Sequence, residues 1–272
     1  MGSAYNDLLQ GILWNSSARI ERDDEGEWVT KGNVTEQGLI KFFMAVVGAD
    51  GCNEQRNALT DENTLQLISF SSSRKRASIV IRNPEEEGTD KEVRIYTKGA
   101  PDMLFPKLSG VLDAEGNTKG IEDSVSCPPE LVKIGNEHET TYLGILEKTV
   151  KLFASKAFRT ILVTYRDMSL SEFESIKAEN NDFEKEADRE ILEQDLVAVG
   201  IFGLQDPLRN GIIESIKKVG AAGITTIMCT GDNIDTAIAI SKNAGILPEG
   251  HPIEKYTCMT GKDFRETVGG LV

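Results

Sequence analysis

Three closely spaced strand signals between residues 65 and 96 constrain the fold of this chain more than any other feature. Residues 65–70, 77–81 and 92–96 are rich in aliphatic, β-branched and aromatic side chains, and short polar connections separate them. Short connections favour antiparallel pairing of neighbouring strands, because a parallel pair needs a longer crossover. The stretch therefore predicts an antiparallel meander.

The pattern changes in the last quarter of the chain. An amphipathic helix pattern is followed by a buried-type strand, predicted at Ile224–Cys229, and by a second helix, predicted at Asp235–Ala244. Helix, strand, loop and helix in this order is typical of a parallel α/β sheet. The predicted fold class is α/β: an α+β domain with an antiparallel sheet flanked by helices in residues 1–204, then a partial doubly wound α/β segment in residues 205–272.

Local patterns predict the remaining elements. Thr35 is the predicted N-cap of a helix that runs to about Val47. The polar residues 49–63 predict a loop. Residues 109–138, with many glycines and aspartates and a Pro-Pro pair, predict a long excursion on the surface.

Composition excludes several classes of partner. The net charge of −14 argues against nucleic acid and against an anionic membrane surface, because both require a basic face. Local basic groups and Mg²⁺ can still hold a triphosphate inside an acidic protein.

The four cysteines form no CxxC pair, which fits a reducing compartment and gives no zinc site. The longest apolar stretches, at 39–49 and 196–204, are too short to cross a bilayer.

Two motifs at predicted strand ends suit a nucleotide. In Lys98-Gly99-Ala100 the glycine allows close backbone approach and the lysine offers a point charge. Phe70, followed by Arg74-Lys75-Arg76, describes an aromatic platform for a base beside cations for phosphates. The structural alternatives are a plain strand end for Lys98-Gly99-Ala100, a core position for Phe70 and a solvated hairpin turn for the basic triplet. The patterns alone leave the structural and the nucleotide-binding interpretations open.

A third motif, Thr230-Gly231-Asp232, follows the strand predicted near the end of the chain. In open α/β folds, ligands bind at the carboxyl ends of parallel strands. The hydroxyl and the loop amides could bind a phosphate, and the carboxylate could help to place Mg²⁺. The alternative is a simple strand-to-helix turn in which Asp232 caps the next helix. Asp206-Pro207-Leu208-Arg209 alone indicates only a turn and a helix start.

The order of five motifs resembles the P-type ATPases, and is most similar to the plasma-membrane-type calcium pumps. The motifs are FSSSRK, KGAPD, AFRTILVTYRD, GLQDPLR and GITTIMCTGDNIDTAIAI. The resemblance covers most of the chain. It implies that residues 1–204 are a nucleotide-binding (N) domain and that residues 205–272 are part of a phosphorylation (P) domain with a fold like that of the haloacid dehalogenases.

The resemblance implies a role for each matching residue of the first part. Glu36 matches the acid that hydrogen-bonds the adenine, and Phe70 matches the aromatic that stacks on it. Lys75 matches a basic residue near the phosphates. Lys98 matches the lysine of the nucleotide pocket, with Gly99 beside it.

The resemblance extends to residues around and beyond the domain boundary. Arg159 matches an arginine that reaches the phosphates and bridges to the P domain. Asp206 and Arg209 match the second hinge between the domains. Three residues match the loop that contacts the transferred phosphate and positions Mg²⁺, namely Thr230, Gly231 and Asp232. No separate set of metal ligands is predicted.

Three features of the family are missing from this sequence. The phosphorylated aspartate of a DKTGT motif and the Mg²⁺-binding GDGxND motif do not occur, and Ser72 stands where the family has a basic residue. The resemblance therefore implies ATP and Mg²⁺ as ligands, with phosphoryl transfer to an aspartate that is not in this chain. The complete pump would be a hydrolase and translocase, whereas this segment alone is expected not to turn over.

The resemblance also implies partners and a location. The partners are ATP and the remainder of the pump, with its transmembrane and actuator domains; neither nucleic acid binding nor direct membrane insertion of this segment is expected. The location is the cytosolic face of the plasma membrane or of an internal calcium-store membrane. The alternatives are a P-type ATPase for another ion, a truncated nucleotide-binding module without pump activity, and a haloacid-dehalogenase-type phosphatase, which would also need the missing aspartate.

Overall fold

A computed structural model describes the chain in two compact units. The described residues are 3–83, 86–113, 115–134, 136–248, 250 and 256–270. Unit 1 comprises residues 1–147 and 161–204, and unit 2 comprises residues 148–160 and 205–272. Strands and helices alternate through the first unit, whereas the second consists mainly of helices.

The elements are numbered along the chain. The strands are β1 (Arg19–Arg22), β2 (Trp28–Lys31), β3 (Thr64–Ile68), β4 (Arg76–Arg82), β5 (Val93–Gly99), β6 (Leu108–Leu112), β7 (Thr118–Gly120), β8 (Ser124–Ser126), β9 (Glu139–Thr141), β10 (Phe158–Met168) and β11 (Leu196–Gln205). The α-helices are α1 (Ser3–Leu13), α2 (Val34–Ala58), α3 (Pro101–Leu104), α4 (Pro129–Val132), α5 (Tyr142–Ser155), α6 (Leu170–Glu179), α7 (Ile212–Ala221), α8 (Ile234–Ala244) and α9 (Gly261–Thr267). Short 3₁₀ turns cover Phe105–Lys107, Asn181–Phe183 and Ala187–Glu193.

Unit 1 is built on a seven-stranded sheet with the order β3-β4-β5-β10-β11-β6-β7. The strands β3, β4, β5 and β10 pair antiparallel in turn, and β11 pairs with β6 in parallel. The predicted antiparallel meander is therefore confirmed. The predicted α/β fold class is also confirmed, since helices flank this mixed sheet on both faces. Six of the seven residues of β4 are buried, because β3 and β5 pair with it on both sides.

Two apolar clusters fix helices on opposite faces of the sheet. On one face α1 and α2 contribute Ile12 and Phe43, which pack with Val163 of β10. On the other face Phe173 of α6 and Phe183 pack with residues of β3, β4 and β5 such as Val80. Neighbouring residues of a strand point to opposite faces, so β5 sends Tyr96 and Lys98 toward α1 and α2. That alternation decides which side chains can meet at the end of β5.

The second helix differs from its prediction at both ends. Asn33, not Thr35, is the N-cap, because its side-chain oxygen accepts the amide hydrogens of Thr35 at 2.9 Å and of the next residue at 3.2 Å. The prediction of a loop from residue 49 is wrong as far as residue 58, since those residues are helical after a break at Gly48, where φ is 78°. Cys52 anchors this continuation because it is fully buried in the core.

The prediction of a surface excursion at residues 109–138 is wrong in its first part. β6 pairs with β11 inside the main sheet, and β7 pairs with β6 at its edge. Two apolar residues of β6, Leu108 and Val111, attach the strand to the core, where they pack with Leu104 and Leu196. Asp113 and Gly116 occur in the tight turn between β6 and β7, whereas Gly110 and Gly120 lie within those two strands.

Unit 2 contains the predicted helices but not the predicted strand. Helix α7 packs against α8, and α8 begins after the N-cap Asn233. The strand predicted at Ile224–Cys229 is wrong, because these residues have no regular structure, and Ile224 and Ile227 are 60% and 84% exposed. No strand occurs in the described residues between 206 and 270, so this apolar segment has no ladder to join there. The domain boundary at residues 204 and 205 stays a prediction.

No helix in the described part of the chain has both the length and the apolar character needed to cross a membrane.

Gly99 is required where β5 approaches the turn before β4. A Cβ at this position would lie 2.5 Å from the Cβ of Arg76 and 2.7 Å from the carbonyl oxygen of Lys75. Both neighbours belong to the backbone or lie next to it, so they cannot move without shifting a strand. We expect Gly99→Ala to lower the free energy of unfolding by about 1–3 kcal/mol, measured by urea denaturation.

Gly51→Ala is the matched control for Gly99→Ala. Gly51 lies within α2, and its added Cβ would make an ordinary contact of 3.4 Å with Val47. Alanine is the better helix former, so this variant should be neutral or more stable by up to about 1 kcal/mol. Equal urea midpoints for Gly99→Ala and the wild type would contradict the close approach.

Candidate functional site

A buried ion pair lies at the end of β5. The Lys98 side chain is 8% exposed, and its ammonium group donates hydrogen bonds of 2.7 Å to Oε1 of Glu36 and to Oγ of Ser16. In the sheet Lys98 stands opposite Ala77 on β4 and Val163 on β10, which places it on the face that α1 and α2 cover. The structure therefore brings together two of the residues predicted to bind nucleotide, Glu36 and Lys98.

The Glu36 carboxylate is held by four donors. Its Oε2 accepts hydrogen bonds from the amide and hydroxyl of Ser17 at 2.9 and 2.7 Å and from the amide of Ala18 at 3.0 Å, while Oε1 accepts from Lys98. Burial opposes ionisation of Glu36, but the charge and hydrogen bond of Lys98, with the bonds from Ser17 and Ala18, outweigh it and lower the pKa. The carboxylate is consequently a fixed anion at neutral pH.

Burial also affects Lys98. It lowers the pKa of the ammonium group, while the charge of Glu36 and the hydrogen bond to it act in the opposite direction. A buried ammonium needs such a partner, because an unpaired charge away from water is costly. Each member of the pair is thus the reason why the other can remain charged inside the protein.

Sequence reasoning missed the residues that support this pair. The guanidinium of Arg56 donates to the carbonyl oxygens of Ala18 and of Ser16, the second at 3.3 Å. Asn15 donates to the carbonyl oxygens of Ala77 and Tyr96, at 2.9 and 3.2 Å, and so ties the end of α1 to β4 and β5. The polar Asn-Ser-Ser run after α1 is typical of side chains that bond local backbone. It does not indicate the bonds of Asn15 and Arg56, which join residues 38 to 81 positions apart.

Phe70 is placed as an exposed aromatic at the same end of the sheet. It lies two residues beyond Ile68, the last residue of β3, which pairs with Ser78. Because Ser78 pairs with Ile68 and its neighbour Ala77 pairs with Lys98, the ends of β3 and β5 lie at the same end of the sheet, with the start of β4 between them. The Phe70 side chain is 62% exposed, so the alternative that it belongs to the core is wrong.

The three basic residues of the turn differ in whether they have an ion-pair partner. Arg74 and Arg76 each donate to the carboxylate of Glu193 at 2.5 Å. Lys75 between them forms no ion pair with any described residue, and it has a positive φ of 52°. Its carbonyl oxygen accepts the amide hydrogen of Ala100 at 3.0 Å, which holds the turn against the end of β5. A turn with three basic residues therefore presents one uncompensated cation.

In unit 2 the structure brings together Arg159, Thr230 and Asp232. The Arg159 guanidinium contacts both carboxylate oxygens of Asp232, with Nε–Oδ1 at 3.1 Å and Nη2–Oδ2 at 3.4 Å. The amide of Asp232 donates to Oγ1 of Thr230 at 3.1 Å. The alternative in which Asp232 caps α8 is wrong, because Asn233 is the N-cap. Gly231 lies exposed between the two loop residues.

Asp206 and Arg209 do not join these contacts. Both are exposed, and their side chains have no hydrogen bond or ion pair within the described ranges. The carbonyl oxygen of Arg209 accepts the amide hydrogen of Ile212 at 3.3 Å, which starts the turn into α7. The described residues also contain no group of three or more His, Cys, Asp or Glu side chains that could hold a metal ion.

Comparisons with known proteins agree with the sequence motifs. Residues 4–127 and 131–211 match the family described as "P-type ATPase, cytoplasmic domain N". The chain is 33% identical over 259 residues to the calcium-transporting ATPase PAT1 of Dictyostelium discoideum, covering 95% of this chain and 19% of that protein. It is 32% identical over 237 residues to the plasma membrane calcium-transporting ATPase 1 of Mus musculus, covering 87% of this chain and 17% of that protein.

A plant relative shows the same relationship. The plasma membrane-type calcium-transporting ATPase 4 of Arabidopsis thaliana is 29% identical over 259 residues, which are 95% of this chain and 21% of that protein. The chain thus spans about a fifth of the length of these relatives. The family match covers most of the chain and includes both β5 and the Glu36–Lys98 pair. The chain therefore belongs to the P-type ATPase family, as its five motifs predicted.

Proposed function

We propose that this chain is the ATP-binding cytosolic portion of a P-type calcium-transporting ATPase, which holds ATP for transfer of a phosphoryl group to an aspartate outside the 272 residues. In this proposal residues 1–204 are the N domain and residues 205–272 are part of the P domain. The observation that carries the proposal is the buried pair of Glu36 and Lys98, at the sheet end that also holds an exposed phenyl ring.

The base is bound by Phe70 and Glu36 in this proposal. The exposed ring of Phe70 offers a face on which a purine can stack. Oε1 of Glu36 accepts one hydrogen bond, from Lys98, and so retains capacity for a second. An adenine amino group is a donor and fits this carboxylate, whereas guanine carries a carbonyl oxygen at the same position. With the six-position of the purine placed at Glu36, this carboxylate favours adenine over guanine.

The phosphates are met by Lys75, because its two arginine neighbours are already paired with carboxylates. Lys98 holds Glu36, and Gly99 keeps the end of β5 close to the turn. Mg²⁺ would be held mainly by phosphate oxygens and water, as is usual for this ion with nucleotides.

The loop of unit 2 supplies the second half of the proposal. Thr230, Gly231 and Asp232 would contact the transferred phosphate, and Asp232 would help to position the metal. Arg159 would reach the phosphates by exchanging its contact with Asp232, while Asp206 and Arg209 would serve as the hinge. In-line transfer in the complete pump would then depend on positioning and on charge neutralisation, with hinge motion to bring the groups together. The chain alone is expected to bind ATP without turnover, since it lacks the DKTGT aspartate.

Transport of calcium is proposed from the relatives, which are named as calcium-transporting ATPases. The remainder of such a pump, including its transmembrane and actuator domains, would be the protein partner of this segment. The location would be the cytosolic face of the plasma membrane, in keeping with the names of two relatives, or of an internal store membrane.

We expect Phe70→Ala to raise the Kd for ATP by about tenfold, because stacking of a base on an aromatic ring contributes about 1–3 kcal/mol. The measurement is isothermal titration of the 272-residue chain with ATP, at concentrations up to millimolar. Phe264→Ala is the matched control, since Phe264 of α9 is also exposed, at 52%, and should leave the Kd unchanged. Equal affinities of Phe70→Ala and the wild type would contradict the stacking role.

A second variant tests recognition of the base. Glu36→Gln removes the charge and replaces one acceptor oxygen by a donor amide, so the preference for ATP over GTP should fall by about tenfold. Competition between the two nucleotides for the same protein measures this preference. Gln37→Glu, one residue along α2, is the control and should retain the wild-type ratio. An unchanged ATP-to-GTP ratio in a folded Glu36→Gln variant would exclude Glu36 from base recognition.

A further inference from the structure

We propose that Glu193 is a positioning residue of the nucleotide site: it fixes the basic turn, residues 70–76, that presents Phe70 and Lys75. Glu193 does not itself contact the nucleotide in this proposal. The inference rests on the proposed function, because a positioned turn matters only if ATP binds there.

The contacts of Glu193 are unusually complete for a carboxylate that is 0% exposed. Its Oε2 accepts from Nε of Arg76 at 2.5 Å. Its Oε1 accepts from Nη2 of Arg74 at 2.5 Å and from Oγ of Ser78 at 2.6 Å. A buried carboxylate without such partners would be strongly destabilising. One side chain therefore fixes the arginines on both sides of Lys75.

Two further carboxylates extend this contact along the turn. Oε1 of Glu190 accepts from Nη2 of Arg76 at 2.8 Å. Oε1 of Glu186 accepts from Nη1 of Arg74 at 3.1 Å and from Oγ of Ser71 at 2.8 Å. These two side chains are 50–52% exposed, so water and salt weaken their contribution. Glu193 is consequently the anchor, and the other two are auxiliary.

The segment that carries Glu193 is itself firmly attached to the sheet. Phe183 and Leu192, which are 1% and 0% exposed, pack with Ile68 of β3 and Val80 of β4. Three successive residues, 181–183, have positive φ angles between 49° and 60°. Such conformations are unfavourable for residues other than glycine, so the burial of Phe183 must offset their cost. The turn at 70–76 is thus clamped to a fixed part of the core.

Two roles of Glu193 predict effects of opposite sign on ATP binding. If Glu193 only neutralised charge, its removal would leave the turn more positive and would tighten the binding of a polyanion. If Glu193 positions the turn, its removal frees residues that must be ordered again when ATP binds, and the affinity falls. The Glu193 carboxylate accepts three hydrogen bonds of 2.5–2.6 Å, and these short contacts favour the positioning role.

The test uses Glu193→Gln and Glu193→Asp in the 272-residue chain, with the Kd for ATP measured by isothermal titration at fixed ionic strength. We expect each variant to raise the Kd by about fivefold, because side chains of the turn lose their fixed orientation. For Glu193→Gln this increase is expected even though the loss of a negative charge would by itself favour a polyanion. The aspartate variant retains the charge but is one methylene shorter, so it cannot keep both arginines at hydrogen-bond distance.

Glu92→Gln is the matched control. Glu92 is also buried, at 4% exposure, and its Oε1 accepts from Nη2 of Arg82 at 2.8 Å at the far end of the same strand, β4. This variant should lose stability in a similar way and retain the wild-type Kd. Titrations are made well below the melting temperature of each variant, so that unfolded protein does not account for a change.

Each outcome decides for or against the proposal. Weaker binding by a folded Glu193→Gln, with an unchanged Glu92→Gln, supports it, and equal or tighter binding overturns it. If Glu193→Gln does not fold, Glu193→Asp takes its place: an increase of about fivefold in the Kd supports positioning, and no change or tighter binding overturns it. A wild-type chain that does not bind ATP at millimolar concentration would instead overturn the proposed function itself.

Discussion

The buried ion pair between Lys98 and Glu36 is the interaction on which the rest of unit 1 depends. Two charges leave water there, which is favourable only when hydrogen bonds surround both groups. Ser16, Ser17 and the amide of Ala18 supply those bonds, so the end of α1, the start of α2 and the end of β5 are fixed to one another. Removal of one charged partner from such a pair costs about 3–5 kcal/mol. The sheet end thereby holds an ionised carboxylate, that of Glu36, in a fixed position.

Charge is distributed in unit 1 so that an acidic protein can present a positive turn. The chain has a net charge of −14, yet the turn at residues 70–76 contains three basic residues. Carboxylates of the segment 186–193 neutralise Arg74 and Arg76 and leave Lys75 unpaired among the described residues. Net charge therefore describes the whole surface, whereas the site depends on which basic groups have local partners. In unit 2, likewise, the charge of Arg159 has a local partner, because the guanidinium forms an ion pair with Asp232.

Part of this structure could be predicted from the sequence because local signals agreed with the fold. The meander of β3, β4 and β5 was predictable from apolar strand patterns with short connections, and the exposed Phe70 fitted its motif. The Glu36–Lys98 pair joins residues 62 positions apart, so it was accessible only through the resemblance of motifs. Nothing local could indicate that Arg76 meets Glu193, 117 residues later. The strand at Ile224–Cys229 failed for a related reason: apolar residues form a strand only where a neighbouring strand completes the ladder.

Residue-specific NMR of the 272-residue chain during titration with ATP would show directly whether this end of the sheet binds the nucleotide. Binding at the proposed site should cause concentration-dependent shifts of the Phe70 ring, the Lys98 side chain and the amides of Ser17 and Ala18, with the resonances of α9 unchanged. GTP at the same concentration should produce smaller shifts at Ser17 and Ala18. Absence of shifts at millimolar ATP, or shifts confined to residues remote from Phe70 and Lys98, would contradict binding at the proposed site.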